Sequence, residues 1–400
     1  MTQSVRVSKS APVSAEGVLY VLAILGILVL FLFPLQRWVA QTGGRWLYIL
    51  LFSCLLSFLL VRPLRSVARN HGILDHPDVR KLHGEPTPLL GGVAIYVAFA
   101  VSLLANSILT PALTGLLVAG TAVVAVSLLD DVRPLPARLR LVVIVLATLV
   151  VIYSGTSLTL FPTRTLWGQL VNVLLTIFWI VGITSAMNFF DGMDGLAGGL
   201  AAVTAFFLGV IAYQSHQVLL GWVSAAMLGS TLGFLPYNFR PGKRATVFLG
   251  DAGSNFLGFV LASLAVLGDW AENNLVDLAA PLLIFGVFVY DMTYITLDRV
   301  FSGRVRNFSE WIEYVGRDHL HHRLEHVLGK REYAVVFILG LSCALSVGAT
   351  VLLMASPRAA VLLIPQAIVI LAMVTILERR GRRPAPLDEP AHGREGRRVP

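Results

Sequence analysis

Long apolar runs of similar length repeat along almost the whole chain, and short polar segments separate them. The runs are about 17 to 23 residues long, and roughly 20 apolar residues in a helix cross the hydrocarbon core of a bilayer. We therefore predict an all-α, polytopic integral membrane protein with about twelve transmembrane helices. The predicted spans are 18–39, 46–62, 90–107, 112–129, 139–155, 167–187, 195–213, 217–235, 253–268, 278–297, 334–356 and 359–377.

Composition favours the same class and excludes a soluble globular domain. Of the 400 residues, 56% are hydrophobic and 14% are charged, whereas about a quarter of the residues of a soluble domain are charged. The net charge of +8 is explained by basic loops that orient the spans, so we expect no nucleic-acid partner. Cys54 and Cys343 both lie in apolar runs, which indicates neither a disulfide framework nor a zinc site.

The two ends of the chain are polar. Residues 1–17 precede span 18–39 without a convincing small-residue cleavage pattern after it, so we interpret this span as an uncleaved anchor. Residues 379–400 are basic and rich in Pro and Gly, and we expect a disordered tail.

Alternating the spans places five long or polar segments on one side of the membrane. These segments carry most of the Arg and Lys residues, and the opposite connections carry few. By the positive-inside rule they are cytoplasmic, together with both termini. Every motif with candidate chemistry falls on this face. The five segments are 63–89, 129–139, 188–194, 236–252 and 298–333.

The segment NFFDGMDGLAGG at 188–199 is unusually polar between two apolar runs. In a continuous helix, Asn188, Asp191 and Asp194 would share one face at spacings of three residues. The glycines among them would let a ligand or another backbone approach closely. By itself the segment is also consistent with an ordinary Gly-Asp turn between two spans.

Two other segments place acids at the ends of spans. Asp130 and Asp131 end an apolar run, and Arg140 follows where it could bind a phosphate with its planar guanidinium. Farther along, Asp251 lies between glycines at the start of the next predicted span. Solvated helix ends would explain the paired acids equally simply. Phe248, three residues before Asp251, is interpreted either as a membrane-interface anchor or as a platform for a nucleobase.

Basic and histidine-rich segments complete the candidate chemistry. Lys81 and His83 precede a Pro-Thr-Pro turn and two glycines, although a juxtamembrane loop on anionic lipid would explain the basic residues. The segment DHLHHRL at 318–324 is a poor zinc set because cysteines are lacking, and it suits phosphate or sugar hydroxyls better. It could also belong to an amphipathic helix on the membrane surface. Its candidate residues are His319, His321, His322 and Arg323.

Several aspartates at one membrane face would repel one another without a cation. Oxygen ligands favour a hard ion, Mg²⁺ or Mn²⁺, and acids with a metal and basic side chains are a set for phosphoryl transfer. A transporter is the rival class, but transporters place ionisable groups near the bilayer midplane. Only Asp291 lies deep in a span, where an acid is usually paired. Arg299 is its candidate partner, and a buried structural hydrogen bond is the alternative.

Five motifs in order resemble those of the polyprenyl-phosphate N-acetylhexosamine-1-phosphate transferases, over roughly residues 45–378. The motifs are D-x-P-x-x-R-K-x-H-x-x-P-T-P-x-x-G-G at 75–92, DD at 130–131, N-x-x-D-G-x-D-G-L-A at 188–197, F-L-G-D-A-G-S at 248–254 and D-H-L-H-H-R-L at 318–324. The last motif is more similar to the branch that uses UDP-N-acetylglucosamine than to the branch that uses UDP-N-acetylmuramoyl-pentapeptide.

The resemblance implies a reaction and its participants. A sugar-1-phosphate, most simply that of N-acetylglucosamine, would move from a UDP-sugar to undecaprenyl or another polyprenyl phosphate and release UMP. This would be the first membrane step of cell-envelope polysaccharide synthesis, in the cytoplasmic leaflet of the inner (plasma) membrane. Another UDP-N-acetylhexosamine or UDP-N-acetylmuramoyl-pentapeptide is an alternative donor. Mg²⁺ or Mn²⁺ would be the cofactor, and we also consider a homodimer.

The resemblance also implies roles for individual residues. Asp251, Asn188 and Asp191 would hold the metal close to the donor diphosphate, and Asp130 and Asp131 would handle the lipid phosphate. Phe248 would stack on uracil and Asp194 would lie near the uridine. The implied catalytic residues are Asp130, Asp131, Asp191, Asp251, His321 and His322. The implied substrate-binding residues are Lys81, His83, Arg140, Asn188, Asp194, Phe248, His319 and Arg323.

The chain departs from the family pattern in three places. Span 18–39 is extra, and a proline expected before Asp291 is replaced by Phe288. The linker between Arg304 and His319 is longer than expected, which leaves the identity of the amino sugar open.

Overall fold

The computed structural model describes residues 15–32, 39, 41–75, 86–270, 274–307, 310–311, 314, 316, 318–354 and 357–381. Within these ranges the protein is built from helices, which confirms the predicted all-α polytopic class. The helices are α1 (Ala15–Leu30), α2 (Arg45–Asn70), α3 (Gly91–Ala105), α4 (Pro111–Val132), α5 (Ala137–Tyr153), α6 (Leu166–Phe189), α7 (Leu196–Gln214), α8 (Val218–Asn238), α9 (Gly250–Leu267), α10 (Asn274–Ile284), α11 (Gly286–Phe301), α12 (Leu320–Leu328), α13 (Arg331–Met354) and α14 (Pro357–Gly381).

Eight of the described helices are long and apolar enough to cross a membrane, or up to nine if a sharply bent pair is one span. Helix α1 begins at Ala15, inside the segment predicted to be a polar tail, and it has 16 residues. Helix α3, with 15 residues, is also shorter than the usual span. The count of twelve spans therefore stays a prediction.

Helix α9 forms the centre of the bundle and is buried along almost its whole length. It packs against α3, α4 and α6. A Cβ added to Gly92 would lie 2.1 Å from Cα of Gly253, so α3 and α9 touch backbone to backbone where both helices begin. The amide of Gly92 also donates to the carbonyl of Leu249 at 2.9 Å. These contacts bring the loops before α3 and α9 together.

A two-stranded antiparallel ribbon adds a small β element to the helical fold. Strand β1 (Leu74–Asp75) pairs with β2 (Thr87–Pro88), with Leu74 opposite Pro88. The amide of Phe248 donates to the carbonyl of Pro88 at 2.8 Å, which attaches the loop before α9 to the ribbon. Lys81 and His83 fall between the strands, outside the described residues.

The predicted span 278–297 is not one straight helix. Helices α10 and α11 meet at an angle of 80°, with Phe285 between them. A Cβ on Gly286 would lie 2.8 Å from Cδ1 of Leu345, so the glycine allows α11 to begin in close contact with α13. The apolar pattern continues across the break, which is why hydropathy predicted a single span.

The predicted amphipathic surface helix around 318–324 is wrong for the part that the structure describes. Leu320 and Leu324 of α12 are fully buried, and His321 and Arg323 are almost fully buried. Helix α12 packs against α13 and α14. Protein neighbours therefore cover the face that would have lain on lipid.

Candidate active site

A cavity of about 1610 Å³ opens at the end of the bundle where α4 ends and α9 begins. The ribbon, the loop between α8 and α9 and the start of α12 contribute to its wall. Eight of the residues singled out from the sequence line this one cavity. They are Asp130, Asp131, Arg140, Asp191, Asp194, Phe248, Asp251 and His322.

Asp131 caps the N-terminus of α9. One of its carboxylate oxygens accepts the amide of Asp251 at 2.8 Å, and the other accepts the amide of Ala252 at 3.1 Å. Free amides and the helix dipole make such a position favourable for an anion. Gly250 has a φ of +75°, and a Cβ there would lie 2.8 Å from Oδ2 of Asp131. Glycine is therefore required where the acid approaches.

Arg140 joins two of the site carboxylates. Its Nη1 lies 2.7 Å from Oδ2 of Asp130 and 3.1 Å from Oδ2 of Asp251. The other oxygen of Asp130 accepts the amide of Leu135 at 2.6 Å. Asp130 is almost buried, whereas about a third of the Asp251 side chain is exposed to the cavity. One cation thus compensates two acids and leaves Asp251 accessible.

Asn188 extends this cluster from the last turn of α6. Its Nδ2 donates to Oδ1 of Asp251 at 2.9 Å and to Oγ of Ser254 at 2.9 Å. Because a carboxylate only accepts hydrogen bonds, the amide nitrogen must face Asp251. The motif at 188 and the motif at 251 are therefore in direct contact, although 63 residues separate them.

Asp191 and Asp194 lie on a turn between two helices, the alternative considered from the sequence, and they do not continue the helix of Asn188. Helix α6 ends at Phe189, and a single 3₁₀ turn covers Phe190–Gly192. Gly195 then adopts a φ of +80°, a left-handed conformation that favours glycine. The glycines break the helical register between the two acids, and α7 begins in a new direction.

Two loop contacts hold this turn against the α8–α9 loop. Oδ2 of Asp194 accepts the amide of Ala245 at 3.1 Å. The buried Asn238 accepts the amide of Gly195 at 2.7 Å and donates to the carbonyl of Val247 at 3.1 Å. Asn238 lies outside the motifs identified in the sequence, although a polar residue at the end of an apolar span followed by a basic loop is a usable signal.

The histidine motif divides between cavity and core. His322 is half-buried and lines the cavity. His321 is buried, and neither ring nitrogen has a hydrogen-bond partner among the described residues. Burial, and after it the neighbouring His322, holds the pKa of His321 well below its usual range. A Cβ on Gly192 would lie 2.8 Å from Nε2 of His321, so this neutral ring stands directly behind the Asp191 turn.

His319 and Arg323 face a buried acid and do not line the cavity. Nδ1 of His319 lies 2.9 Å from Oδ2 of Asp291, and Nη2 of Arg323 lies 3.3 Å from Oδ1. Their predicted contact with substrate stays a prediction. Asp291 thus has buried structural partners, the alternative considered from the sequence.

Arg299, the other candidate partner of Asp291, pairs with Asp318. Its Nε and Nη2 contact the two oxygens of Asp318 at 2.9 and 2.8 Å. Partial burial alone would raise the pKa of Asp318, but the hydrogen bonds and charge of Arg299 outweigh it and lower that pKa. Helical spacing could not indicate this pair, because Asp318 lies 19 residues after Arg299 in the chain.

The carboxylate and amide oxygens of the cavity are candidate ligands for a hard divalent cation. Among the described residues, no group of three or more His, Cys, Asp or Glu side chains is arranged to hold a metal ion. Mg²⁺, however, usually takes one or two protein carboxylates and completes its shell with water and substrate phosphates. Asp191 experiences the repulsion of Asp251 and Asp131, and Asp251 is accessible. This oxygen-only chemistry fits a cation shared with a diphosphate.

The chain is similar in sequence to known proteins. The family model for glycosyl transferase family 4 matches residues 113–269. The probable undecaprenyl-phosphate N-acetylglucosaminyl 1-phosphate transferase of Bacillus subtilis is 32% identical over 276 residues, 68% of this chain and 75% of the relative. The decaprenyl-phosphate N-acetylglucosaminephosphotransferase of Mycolicibacterium smegmatis is 31% identical over 370 residues, 85% of this chain and 90% of the relative.

A third relative comes from Yersinia pestis, in which an undecaprenyl-phosphate alpha-N-acetylglucosaminyl 1-phosphate transferase is 29% identical over 69% of this chain. The matched regions include α4, α9 and the cavity acids between them. With identities above 30% over most of two relatives, this chain belongs to the polyprenyl-phosphate N-acetylhexosamine-1-phosphate transferases of glycosyl transferase family 4.

Proposed function

We propose that this protein transfers N-acetylglucosamine-1-phosphate from UDP-N-acetylglucosamine to a polyprenyl phosphate. An oxygen of the lipid phosphate attacks the phosphorus that carries the sugar. The anhydride bond to the uridylyl phosphate breaks, and UMP leaves with the bridging oxygen. One phosphoanhydride replaces another, so positioning and charge compensation, rather than driving force, are the task of the site.

The observation that carries this proposal is the convergence of Asp130, Arg140 and Asp251 in one cavity, through contacts of 2.7 and 3.1 Å. A guanidinium between two acids can exchange one of them for an incoming phosphate, because its planar fork matches phosphate oxygens. The relatives named above use undecaprenyl or decaprenyl phosphate according to their names. We assign the same class of acceptor to this chain.

The donor end of the cavity would lie between Phe248 and the Asp194 turn. Phe248 is half-buried and lines the cavity, so one part of its ring can pack on the protein while another stacks on uracil. Asp194 is exposed in the same wall. Arg240, Lys243 and Arg244 line the adjoining rim, where they would attract an anionic donor.

Asp251, Asn188 and Asp191 are the residues that would hold Mg²⁺ or Mn²⁺. The ion supplies charge neutralisation for the donor diphosphate when it is bound. Asp131 fixes the start of α9 through the amide of Asp251. Arg140 lies between Asp130 and Asp251 and reduces the repulsion between their charges. Asp130 would take a proton from the lipid phosphate. His322, which lines the same cavity, would contact the donor diphosphate.

The cavity would face the cytoplasm, with the protein in the inner (plasma) membrane and both termini inside. Arg65 and Arg69 at the end of α2 and Arg331 at the start of α13 line the same cavity. Connections at the other end of the bundle are poor in basic residues, and Arg164 is one of the few that they contain. This asymmetry supports the orientation. In that orientation the cavity would be accessible to a soluble UDP-sugar in the cytoplasm.

A direct assay tests the proposal. Purified protein is incubated with undecaprenyl phosphate, Mg²⁺ and a panel of UDP-sugars, and UMP and the lipid product are quantified. We expect UMP only with UDP-N-acetylglucosamine. UMP with another UDP-N-acetylhexosamine or with UDP-N-acetylmuramoyl-pentapeptide would change the assigned donor. Absence of UMP with every donor would refute the proposed function.

A further inference from the structure

A buried polar network joins α11, α12 and α14 next to the cavity. Asp291 of α11 is completely buried. Its Oδ2 lies 2.9 Å from Nδ1 of His319, and its Oδ1 accepts the amide of Leu320 at 2.7 Å. Asp291 therefore accepts a hydrogen bond from a backbone amide in the first turn of α12 and fixes where this helix begins.

A second acid reaches the same network from the C-terminal helix. Oε2 of Glu378 in α14 lies 3.1 Å from Nη1 of Arg323, and only 2% of Glu378 is exposed. The guanidinium of Arg323 also lies 4.1 Å from the centre of the Tyr294 ring. A buried charge is costly unless it is paired. Arg323 thus lies between Asp291 on one side and Glu378 on the other, and its contact with Glu378 is an ion pair by distance without hydrogen-bond alignment.

The contacts with Asp291 and Glu378 leave helix α12 little freedom to rotate about its own axis. His321 packs 5.8 Å from the ring of Phe190, and its own ring is 4.1 Å from that of His322. Gly192, on the turn that carries Asp191, leaves just enough room for Nε2 of His321. Any roll of α12 would move His321 out of this fit and would turn His322 away from the cavity.

We propose that Glu378 is a positioning residue, which acts through Arg323 to set the orientation of α12 and so to present His322 to the cavity. Glu378 lies outside every motif identified in the sequence. The inference concerns the proposed transferase site and rests on the proposed function for its kinetic consequences. Its structural consequence can be measured without turnover.

The first test maps histidine accessibility in the purified full-length protein. Diethylpyrocarbonate modification is followed by mass spectrometry in the wild type and in Glu378→Gln. We expect His321 to be protected in the wild type and to react at least several-fold faster in the variant, while the exposed His216 reacts equally in both. Unchanged protection of His321 would overturn the proposal. Asp298→Asn, which removes an exposed ion pair of α11, is the matched control and should leave His321 protected.

The second test is a double-mutant cycle between Glu378→Gln and His322→Ala on UMP release. A misplaced catalytic group can reduce kcat roughly ten- to hundredfold, and we expect a loss in this range for Glu378→Gln. Adding Glu378→Gln to His322→Ala should cost little more. A fully additive loss, or an unaltered kcat in Glu378→Gln, would contradict a role through His322.

A milder variant keeps both tests decisive if Glu378→Gln does not fold. Glu378→Asp retains the charge on a side chain one methylene shorter, so we expect a smaller increase in His321 reactivity and a smaller loss of kcat. Wild-type behaviour of Glu378→Asp in both tests would then overturn the proposal. If the wild-type protein releases no UMP, the proposed function fails, and the modification experiment still decides the role of Glu378.

Discussion

The carboxylate of Asp131 accepts the backbone amide of Asp251 at 2.8 Å, across 120 residues of sequence. This bond and the one to Ala252 tie the end of α4 to the start of α9. Because Asp131 fixes the backbone of Asp251, the side chain of Asp251 is held at the cavity. Asp131 consequently contributes to the site through the position of Asp251, in addition to any contact with the lipid phosphate.

Asp131→Ala should reduce both stability and activity. Loss of a helix cap costs about 0.5–2 kcal/mol in the free energy of unfolding, and the start of α9 would become free to move. We expect a lower Tm in detergent and a reduced kcat for UMP release. Thr110→Ala is the control, because Thr110 caps the opposite end of α4 through the amide of Leu113. It should lower Tm and leave kcat unaffected; equal kcat values for the two variants would contradict the role of Asp131.

Asp251→Asn should abolish UMP release and leave a folded protein. The amide preserves the shape of the side chain and can still contact Arg140, but it lacks the charge that attracts a divalent cation. We expect kcat to fall on the order of a hundredfold or more, the cost of losing one preorganised electrostatic group. The measurement is a Mg²⁺ titration of UMP release, with Tm as the check on folding. Normal turnover at any Mg²⁺ concentration would refute the metal assignment.

Phe248→Ala should weaken binding of the UDP-sugar. A base stacked on an aromatic ring is worth about 1–3 kcal/mol, roughly a five- to 150-fold increase in KM when the ring is lost. Phe248→Tyr keeps the ring and should retain a KM close to that of the wild type. Initial rates over a range of donor concentrations measure both. An unchanged KM in Phe248→Ala would exclude stacking and favour the membrane-anchor interpretation.

Cysteine labelling should distinguish the two ends of the bundle. Cys54 and Cys343 are first replaced, and single cysteines are introduced at exposed Lys243, on the cavity rim, and at exposed Thr159, between α5 and α6. With an impermeant maleimide on intact cells, we expect labelling of Thr159→Cys only. Lys243→Cys should react after the membrane is permeabilised. External labelling of Lys243→Cys would reverse the proposed orientation.

Partners of individual side chains were the least predictable part of the site. Spacing offered Arg299 as one candidate partner of Asp291, yet Arg299 contacts Asp318, and His319 and Arg323 contact Asp291. These pairs join residues 19 to 32 positions apart, which helical spacing does not reveal. Glu378 directly follows the last predicted span, 359–377, and no motif indicated a role for it, because its partner Arg323 lies 55 residues earlier in the chain.

The sequence by itself determined the membrane-embedded helical class, the family and the set of acids that the structure brings to one cavity. These properties follow from the length of apolar runs and from residue types in short motifs, both of which are local. Tertiary structure alone decided that a turn between α6 and α7 interrupts the 188–199 segment, so that Asn188, Asp191 and Asp194 do not share one helix face. It also decided that α10 and α11 are bent by 80°, and that Asp131 supports the start of α9. These features depend on packing between helices distant in sequence, where the close approach of Gly92 to Gly253 and of Gly192 to His321 selects one arrangement.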